Sequence, residues 1–321
     1  MTTYAADISD IRAAARRIAP HVHRTPVMTS QSVNAAAGRE LFFKCENLQK
    51  VGAFKMRGAA NAVMRLPDEV AARGVVTHSS GNFAQALALA ARRRGIDAHI
   101  VMPRTAPVVK RQAVEGYGAR IYPCEPTLKA RETTAARVLA ETGGTLLHPY
   151  NHPDIIAGQG TCALELLEDA GEMDAIIAPI GGGGLMSGIC LAARAVAPSV
   201  RLFAAEPAGA DDAARSLAAG RLIPQTSPDT IADGLLTSLG DLTWPIVRDH
   251  VEHIFTVGDD EIIAAMRLIW QRMKLLIEPS AAVPVAAVLS EDFRLLEGVR
   301  RLGVVLSGGN IDLDRLPWVS L

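Results

Sequence analysis

The sequence is poor in cysteine and has no excess of either charge. Its four cysteines are Cys45, Cys124, Cys162 and Cys190. Their wide spacing matches neither a paired-cysteine metal motif nor a dense disulfide framework, so reduced thiols in a cytoplasmic protein are the simplest interpretation. Lys plus Arg total 33 and Asp plus Glu 34, which gives a net charge of −1. That balance predicts neither a nucleic-acid nor an anionic-membrane partner.

The sequence also lacks long apolar segments. No run approaches the ~18 residues that a membrane-spanning helix needs. Asp7 and Asp10 interrupt the segment where a signal peptide would be apolar, and residues 8–18 have helical spacing instead. With 49% apolar and 21% charged residues, the 321-residue chain is typical of a globular protein with one large or two modest domains.

From residue 75 onward, short apolar segments alternate with segments of helical spacing. The predicted strands are 75–78, 99–102, 120–123, 175–180, 200–205, 253–257 and 303–307, and the predicted helices include 82–94, 127–141, 158–169 and 185–196. This alternation predicts buried parallel sheets with helices on both faces. Because such folds bind ligands at the carboxyl ends of strands, functional motifs are expected there.

A lysine lies in a loop of small residues at the start of a predicted helix. The segment 52–59 has the sequence Gly-Ala-Phe-Lys-Met-Arg-Gly-Ala, and the helix runs to Leu66. Lys55 is the only one of six lysines in such a position. A helix N-terminus disfavours a cation by ~0.3–1 kcal/mol. It therefore lowers the pKa of a lysine amine, which suits a nucleophilic lysine. Taken alone, the segment is also compatible with a solvated surface lysine.

Segment 77–84, Thr-His-Ser-Ser-Gly-Asn-Phe-Ala, joins a predicted strand to a predicted helix. Ser and Asn are common helix N-caps, so capping alone would account for them. The functional interpretation is that amide N–H groups and hydroxyls at this turn bind an anion such as a carboxylate.

Four consecutive glycines, residues 181–184, lie between another strand and helix. Glycine lets backbone amides surround a phosphate closely. The segment also loosely resembles a dinucleotide fingerprint, and Glu206 ends the next strand, where a ribose-binding acid would lie. A nicotinamide dehydrogenase is therefore an alternative on this motif, whereas the missing Walker lysine excludes a P-loop.

Two further segments follow strands. Ser307-Gly308-Gly309-Asn310 is either a tight turn or the location of a hydroxyl that contacts a ligand. Segment 206–212, Glu-Pro-Ala-Gly-Ala-Asp-Asp, offers oxygen atoms suited to a hard cation. Its spacing alone favours a solvated helix N-terminus.

Taken together and in this order, the motifs resemble the serine racemase and threonine dehydratase family of pyridoxal-phosphate (PLP) enzymes. Further resemblance lies in segments 42–47, 157–161, 231–234 and 273–280, so it spans nearly the whole chain. It implies a two-lobed α/β fold of PLP fold type II, similar to the tryptophan synthase β chain. Residues 1–66 and 149–321 would form the large PLP-binding domain and 67–148 the small domain. The dehydrogenase alternative explains only the glycine segment.

The resemblance implies a role for each motif. Lys55 would form the Schiff base with PLP and then move the α-proton, and Ser80 would be the opposing acid–base group of a racemase. The implied cofactor-binding residues are Phe54, Lys55, Asn82, Gly181, Gly182, Gly183, Gly184, Leu185 and Ser307. The implied substrate-binding residues are Ser79, Ser80, Gly81, Asn82, Phe83 and Arg131. Ser307 would face the pyridine nitrogen and leave it largely neutral, which favours prompt loss of a β-leaving group.

A metal site and two departures also follow from the resemblance. Glu206, the Ala210 carbonyl and Asp212 match the family's site for Mg²⁺, Ca²⁺ or Mn²⁺. Ala53 replaces a common Ser and Phe83 the usual His, which removes polar groups near the expected substrate pocket.

The sequence therefore predicts a PLP-dependent ammonia-lyase, a carbon–nitrogen lyase of the EC 4.3.1 type. It would dehydrate 3-hydroxyaspartate, serine or threonine to a 2-oxo acid and ammonia. An amino-acid racemase is the alternative, and a PLP-binding regulatory protein is a non-enzymatic one. The family also implies a homodimer.

The position of Arg131 is expected to decide the substrate. If its side chain faces the pocket, 3-hydroxyaspartate is favoured, in keeping with the Gly-Ala-Phe-Lys segment shared with β-hydroxyaspartate dehydratases. If it pairs with Glu132 or Glu125 at the surface, the pocket near Phe83 is apolar and favours threonine or an aromatic β-hydroxy amino acid.

Overall fold

The computed structural model describes residues 4–106 and 108–318, without the side chains of Val109 and Leu128. The strands are β1 Val27–Met28, β2 Glu40–Cys45, β3 Val75–His78, β4 Ala98–Pro103, β5 Arg120–Cys124, β6 Thr145–Leu146, β7 Ala175–Pro179, β8 Arg201–Pro207, β9 His253–Val257 and β10 Arg301–Leu306. The helices are α1 Ile8–Ile18, α2 Gln31–Ala37, α3 Lys55–Arg65, α4 Asp68–Ala71, α5 Asn82–Arg94, α6 Val108–Gly116, α7 Leu128–Thr142, α8 Pro153–Ala170, α9 Gly184–Val196, α10 Asp212–Ala219, α11 Trp244–His250, α12 Asp259–Met273, α13 Pro279–Leu289 and α14 Glu291–Arg294.

The strands form two separate sheets. The six-stranded sheet has the order β1-β2-β10-β7-β8-β9, in which only the β1–β2 pair is antiparallel. The four-stranded sheet has the order β5-β4-β3-β6 and is parallel throughout. We call the six-stranded sheet with its helices the large lobe, and the four-stranded sheet with its helices the small lobe. The predicted α/β class with parallel sheets is confirmed.

Helices cover both faces of the large sheet because its strands are apolar on both sides. In β7, Ile177 packs in the core that α12 and α13 cover, whereas Ile176 packs in the core under α8 and α9. In β8, Phe203 and Leu202 are divided between the same two cores. Successive side chains of a strand point to opposite faces, so continuous apolar runs predict burial on both sides.

The small sheet is covered in the same way. Val75 and Ile100 pack against α3 and α5, whereas Val76 and Val101 pack against α7. All four strands of this sheet lie between residues 75 and 146. Helix α3 contacts both α8 and α5, so it joins the two lobes. The domain boundaries at residues 66 and 149 stay a prediction.

The predicted bounds of β3, β9 and α5 agree with the structure, whereas α8 begins five residues earlier than predicted. Pro153 occupies the first turn of α8, and the His152 side chain caps it by accepting a hydrogen bond from the Asp154 amide. The turn-rich segment therefore ends at the helix start. Among the helices described, none is long and apolar enough to cross a membrane.

Candidate active site

Three of the predicted motifs follow β3, β7 and β10 at their carboxyl ends. The lysine segment is hydrogen-bonded to the motif that follows β10. The Phe54 amide donates to the Ser307 carbonyl at 3.0 Å, and Ala53 forms an isolated β-bridge with Gly308. The structure therefore brings Lys55 next to the end of β10, although the two segments are about 250 residues apart in the chain.

Lys55 is the first residue of α3, and its amine is largely removed from water. Its Nζ donates to the Pro149 carbonyl at 2.9 Å. The centroids of the Phe54, Phe83 and Tyr150 rings lie 5.0, 5.9 and 6.0 Å from Nζ. Burial lowers the pKa of Lys55 to about 8, against an opposing effect of the Glu278 carboxylate. Such an amine is partly uncharged near neutral pH, as a nucleophile or base requires.

Beneath Lys55, a buried group of charges anchors α3. The Arg57 guanidinium donates two hydrogen bonds to Glu46, at 2.7 and 2.8 Å, and two to Glu165, both at 2.7 Å. Lys44 Nζ donates to Glu165 at 2.7 Å and to the Thr25 carbonyl at 2.7 Å. We call Lys44, Glu46, Arg57 and Glu165 the Arg57 cluster. It ties the start of α3 to β2 and α8.

The glycine segment forms a backbone cradle at the start of α9. A Cβ added to Gly182 would lie 2.3 Å from the Tyr150 ring, and one added to Gly184 would lie 2.9 Å from Tyr150 Cβ. Gly183 has a φ of 83°, which other residues rarely adopt. The Thr243 hydroxyl donates to the Gly182 carbonyl at 2.9 Å and fixes its direction. The free amides of the first turn of α9 suit a phosphate.

The serine–asparagine loop connects β3 to α5. The Ser79 amide donates to the Val101 carbonyl at 3.1 Å, and the Gly81 amide to Ser79 Oγ at 3.4 Å. Ser80 is half-buried. Phe83 is only 1% exposed and packs in the core of the small lobe, with its ring near Lys55. A histidine's polar ring atoms would be costly in that core without partners.

Glu278 was not among the predicted site residues. It is 3% exposed, accepts from Asn82 Nδ2 at 2.8 Å and accepts from the Asn310 amide at 3.2 Å. Burial, reinforced by Asp233, raises the pKa of its carboxyl to about 8. A sequence signal existed, since Glu278 is the only charged residue between Leu275 and Leu289. A lone carboxylate in an apolar segment indicates a functional or paired group.

Arg131 lies in the first turn of α7, which packs against β3. Its Nε is buried and has no hydrogen-bond partner within residues 4–106 and 108–318. Burial lowers the pKa of His78 at the end of β3, and the Arg131 guanidinium contributes to that lowering. Glu125 pairs instead with Arg104 at 3.6 Å. Arg131 therefore lies near the end of β3, and Glu125, one of the two surface partners considered for it, pairs elsewhere. The role of Arg131 in substrate binding stays a prediction.

Comparison with known proteins identifies the family. Residues 18–308 match the model of the family described as pyridoxal-phosphate dependent enzymes. The chain belongs to that family. It is 53% identical over 315 residues to a β-hydroxyaspartate dehydratase from Paracoccus denitrificans, which covers 98% of this chain and 99% of that protein. It is 56% identical over 320 residues to a serine racemase from Arabidopsis thaliana, with 99% and 96% covered.

The fold comparison agrees. A solved maize serine racemase superimposes with a TM-score of 0.96 and 53% identity, covering 97% of this chain and 95% of that one. The predicted PLP enzyme and its fold type are thereby confirmed. The nicotinamide dehydrogenase suggested by the glycine segment is excluded. The roles assigned to single residues stay predictions.

The described residues fit a PLP enzyme's cofactor. Lys55 offers a desolvated amine and the glycine segment offers a cradle that side chains would fill. Phe54 precedes Lys55 in the chain, and its amide donates to the Ser307 carbonyl. Asn82 is the first residue of α5. Leu185 follows the cradle in the first turn of α9 and is 4% exposed.

The predicted metal residues gather at the end of β8. Glu206 accepts from the amides of Ala213 and Ala214 at 3.1 and 3.0 Å. Asp212 accepts from the Leu239 amide at 3.1 Å through Oδ2, while its buried Oδ1 has no partner among the residues that the structure describes. Burial raises the pKa of Glu206 to about 9 and that of Asp212 to about 6. Two buried carboxyls that form no ion pair within residues 4–106 and 108–318 fit a hard divalent ion.

Protein side chains alone do not complete such a site. No group of three or more His, Cys, Asp or Glu side chains is arranged for a metal in the part of the chain described. A cation there would also need main-chain oxygen such as the carbonyl of the buried Ala210.

Proposed function

We propose that this PLP-dependent enzyme is an ammonia-lyase that dehydrates 3-hydroxyaspartate to a 2-oxo acid and ammonia. The observation that carries the proposal is the buried, unpartnered Nε of Arg131 beside the end of β3. A substrate β-carboxylate needs a cation, because burying it unpaired costs several kcal/mol. A guanidinium binds a carboxylate through two parallel hydrogen bonds. The 53% identity to a β-hydroxyaspartate dehydratase supports the same substrate class.

Lys55 would hold the cofactor, and the amides of Gly181 to Gly184 and Leu185 would bind its phosphate. Phe54, Asn82 and Ser307 would contact its ring. When bound, PLP supplies an electron sink that acidifies the α-proton of the amino acid attached to it. The Ser307 hydroxyl would contact the ring nitrogen without protonating it, which would favour loss of the β-hydroxyl group as water.

The chain's own groups would do the rest. Lys55, with a pKa of about 8, accepts the α-proton at Nζ near neutral pH. The hydroxyls of Ser79 and Ser80 and the amides of Ser80 to Asn82, at the start of the 13-residue α5, bind the α-carboxylate. Arg131 orients the β-carboxylate. Water then hydrolyses the released enamine to the 2-oxo acid.

The same proposal includes a divalent ion and a homodimer. Mg²⁺, or alternatively Ca²⁺ or Mn²⁺, would bind to Glu206, the Ala210 carbonyl and Asp212. The enzyme would be a homodimer, as the family resemblance implies, and would act in the cytoplasm, in keeping with its widely spaced cysteines.

Substrate comparison with an Arg131 variant tests the proposal. We expect Arg131→Ala to lower kcat/KM for 3-hydroxyaspartate by about 100-fold, which corresponds to about 2.7 kcal/mol of lost carboxylate binding. Serine, threonine and phenylserine should change by less than about threefold. The matched control is Arg104→Ala, which removes an exposed arginine of the small lobe. Equal losses on all four substrates would contradict the proposed role of Arg131.

A racemase is the second candidate, supported by the half-buried Ser80 at the start of α5 and by the similarity to serine racemases. Chiral analysis of amino acid alongside an oxo-acid assay distinguishes the two reactions. If racemisation of serine exceeds dehydration of 3-hydroxyaspartate, and Ser80→Ala abolishes only the racemisation, the racemase is the main activity.

A further inference from the structure

The Asn82 side-chain amide is held from two sides. Its Nδ2 donates to Glu278 Oε1 at 2.8 Å, and its Oδ1 accepts from Asn310 Nδ2 at 2.9 Å. Asn310 is itself fixed, because its Nδ2 also donates to the Val51 carbonyl at 2.7 Å and its backbone amide donates to Glu278 Oε2 at 3.2 Å. The three side chains therefore form one connected network around a single amide.

This network determines which way the Asn82 amide faces. A backbone carbonyl only accepts hydrogen bonds, so the NH₂ group of Asn310 must face Val51. The same NH₂ group faces Asn82 Oδ1, which leaves the NH₂ group of Asn82 against Glu278. Rotating the Asn82 amide by 180° would place its oxygen against Glu278 and its NH₂ against the NH₂ of Asn310. One N–H of Asn82 is used by Glu278, and the other remains for a ligand.

Glu278 is placed by the same turn that carries Ser307. Its backbone amide donates to the Gly308 carbonyl at 3.0 Å. Glu278 also occupies the N-cap position of the 11-residue α13, where a negative charge is favoured. A Cβ on Gly308 would lie 2.4 Å from Glu278 Oε1, so a larger residue there would displace the carboxyl group from Asn82. The charged groups that act on Glu278 are Asp233 and Lys110, which form an ion pair with each other, and Lys55.

We propose that Glu278 is a positioning residue that fixes the Asn82 amide so that one N–H faces the ring of the bound cofactor. The inference rests on the proposed cofactor role of Asn82. Glu278 itself acts through Asn82 and touches neither substrate nor cofactor.

Glu278→Gln is the decisive variant, because a glutamine side chain cannot satisfy both neighbours. If its oxygen faces Asn82, its NH₂ faces the donating amide of Asn310. If its NH₂ faces Asn82, the Asn82 amide must rotate, and two NH₂ groups then face each other at Asn310. Either arrangement weakens the orientation of Asn82 while the volume of the side chain is unchanged.

The measurements are the PLP dissociation constant, obtained by titrating the apoenzyme, and the position of the visible band of the holoenzyme. We expect Glu278→Gln to weaken PLP binding about tenfold, equivalent to about 1.4 kcal/mol. Its visible band should shift in the direction that Asn82→Ala defines. The double variant should bind PLP no more weakly than Asn82→Ala alone, because coupled residues are not additive. Glu261→Gln, at the exposed start of α12, is the matched control.

The outcomes separate two failures. If Asn82→Ala binds PLP normally and keeps the wild-type band, the proposed role of Asn82 is wrong and Glu278 has nothing to position. If Asn82→Ala is impaired but Glu278→Gln is not, or if their effects on PLP binding add, only the inference about Glu278 is overturned. Where Glu278→Gln lowers the melting temperature of the apoenzyme, Asn310→Ala removes the other anchor and should reproduce the weaker binding and the band shift.

Discussion

Two cations that lie two residues apart on α3 have opposite surroundings. The Arg57 guanidinium is fully buried, and its four hydrogen bonds to Glu46 and Glu165 raise its pKa well above the ordinary value. Lys55 is removed from water and forms no ion pair with any described carboxylate, and burial lowers its pKa to about 8. A fully paired buried charge holds the fold together, whereas a poorly paired one is available for chemistry.

The carboxyls differ in the same way. Glu165 is partly buried, but Arg57 and Lys44 outweigh that burial and lower its pKa. Glu206 and Asp212 form no ion pair among the described residues, and burial raises the pKa of both, although Arg215 opposes this effect at Asp212. The charges of the Arg57 cluster therefore compensate one another, whereas the charges of the two carboxyls at the end of β8 must be compensated by a bound ion or removed by protonation.

The largest expected effect comes from removing the poorly paired cation. Lys55→Ala should abolish the visible band, remove borohydride labelling and lower activity by at least about a thousandfold, because a nucleophile and a base are lost together. The apoenzyme should melt within a few degrees of wild type, since Lys55 contributes one hydrogen bond to the fold. Lys50→Ala is the control, and borohydride labelling of Lys50 would show that the assignment is wrong.

Removing the paired cation should have the reverse profile. Arg57→Met leaves Glu46 and Glu165 buried without their partner and should lower the free energy of unfolding by about 3–5 kcal/mol. Chemical denaturation measures this change. The control is Arg65→Met, also on α3, where a half-exposed arginine pairs with Asp154 of α8. It should lower the free energy of unfolding by only about 0.2–1 kcal/mol. If the two variants are equally stable, the Arg57 cluster does not anchor α3.

The third expected effect is the pH dependence of the free energy of unfolding of the metal-free protein. Folding raises the pKa of Glu206 and Asp212, so the folded state holds more protons than the unfolded one. This contribution is fully present at acidic pH, and stability should fall as the pH rises through about 6 and then about 9. Mg²⁺ at 100 times its Kd should restore about 2.7 kcal/mol.

The increase in melting temperature on adding Mg²⁺ should therefore be larger at pH 9 than at pH 6, and absent in Asp212→Asn. A melting temperature that responds neither to chelator nor to Mg²⁺ at either pH would contradict the site.

Local pattern was sufficient for much of the fold. Apolar strands that alternate with helices predicted the parallel sheets, and small residues at a helix start singled out Lys55. The order of the motifs along the chain indicated the family. These features survive in sequence because they depend on neighbours a few residues apart, such as the helix period and the need for glycine at a φ of 83° in Gly183.

Tertiary structure decided the features that depend on distant residues. Glu278 becomes part of the site only because the turn after β10 meets the start of α13 and places the carboxylate against Asn82, 196 residues away. Arg57 and Lys55 look alike in sequence, and only packing gives one of them two carboxylates. The free energy of a buried charge depends on what surrounds it in space, and the linear sequence does not contain that distance.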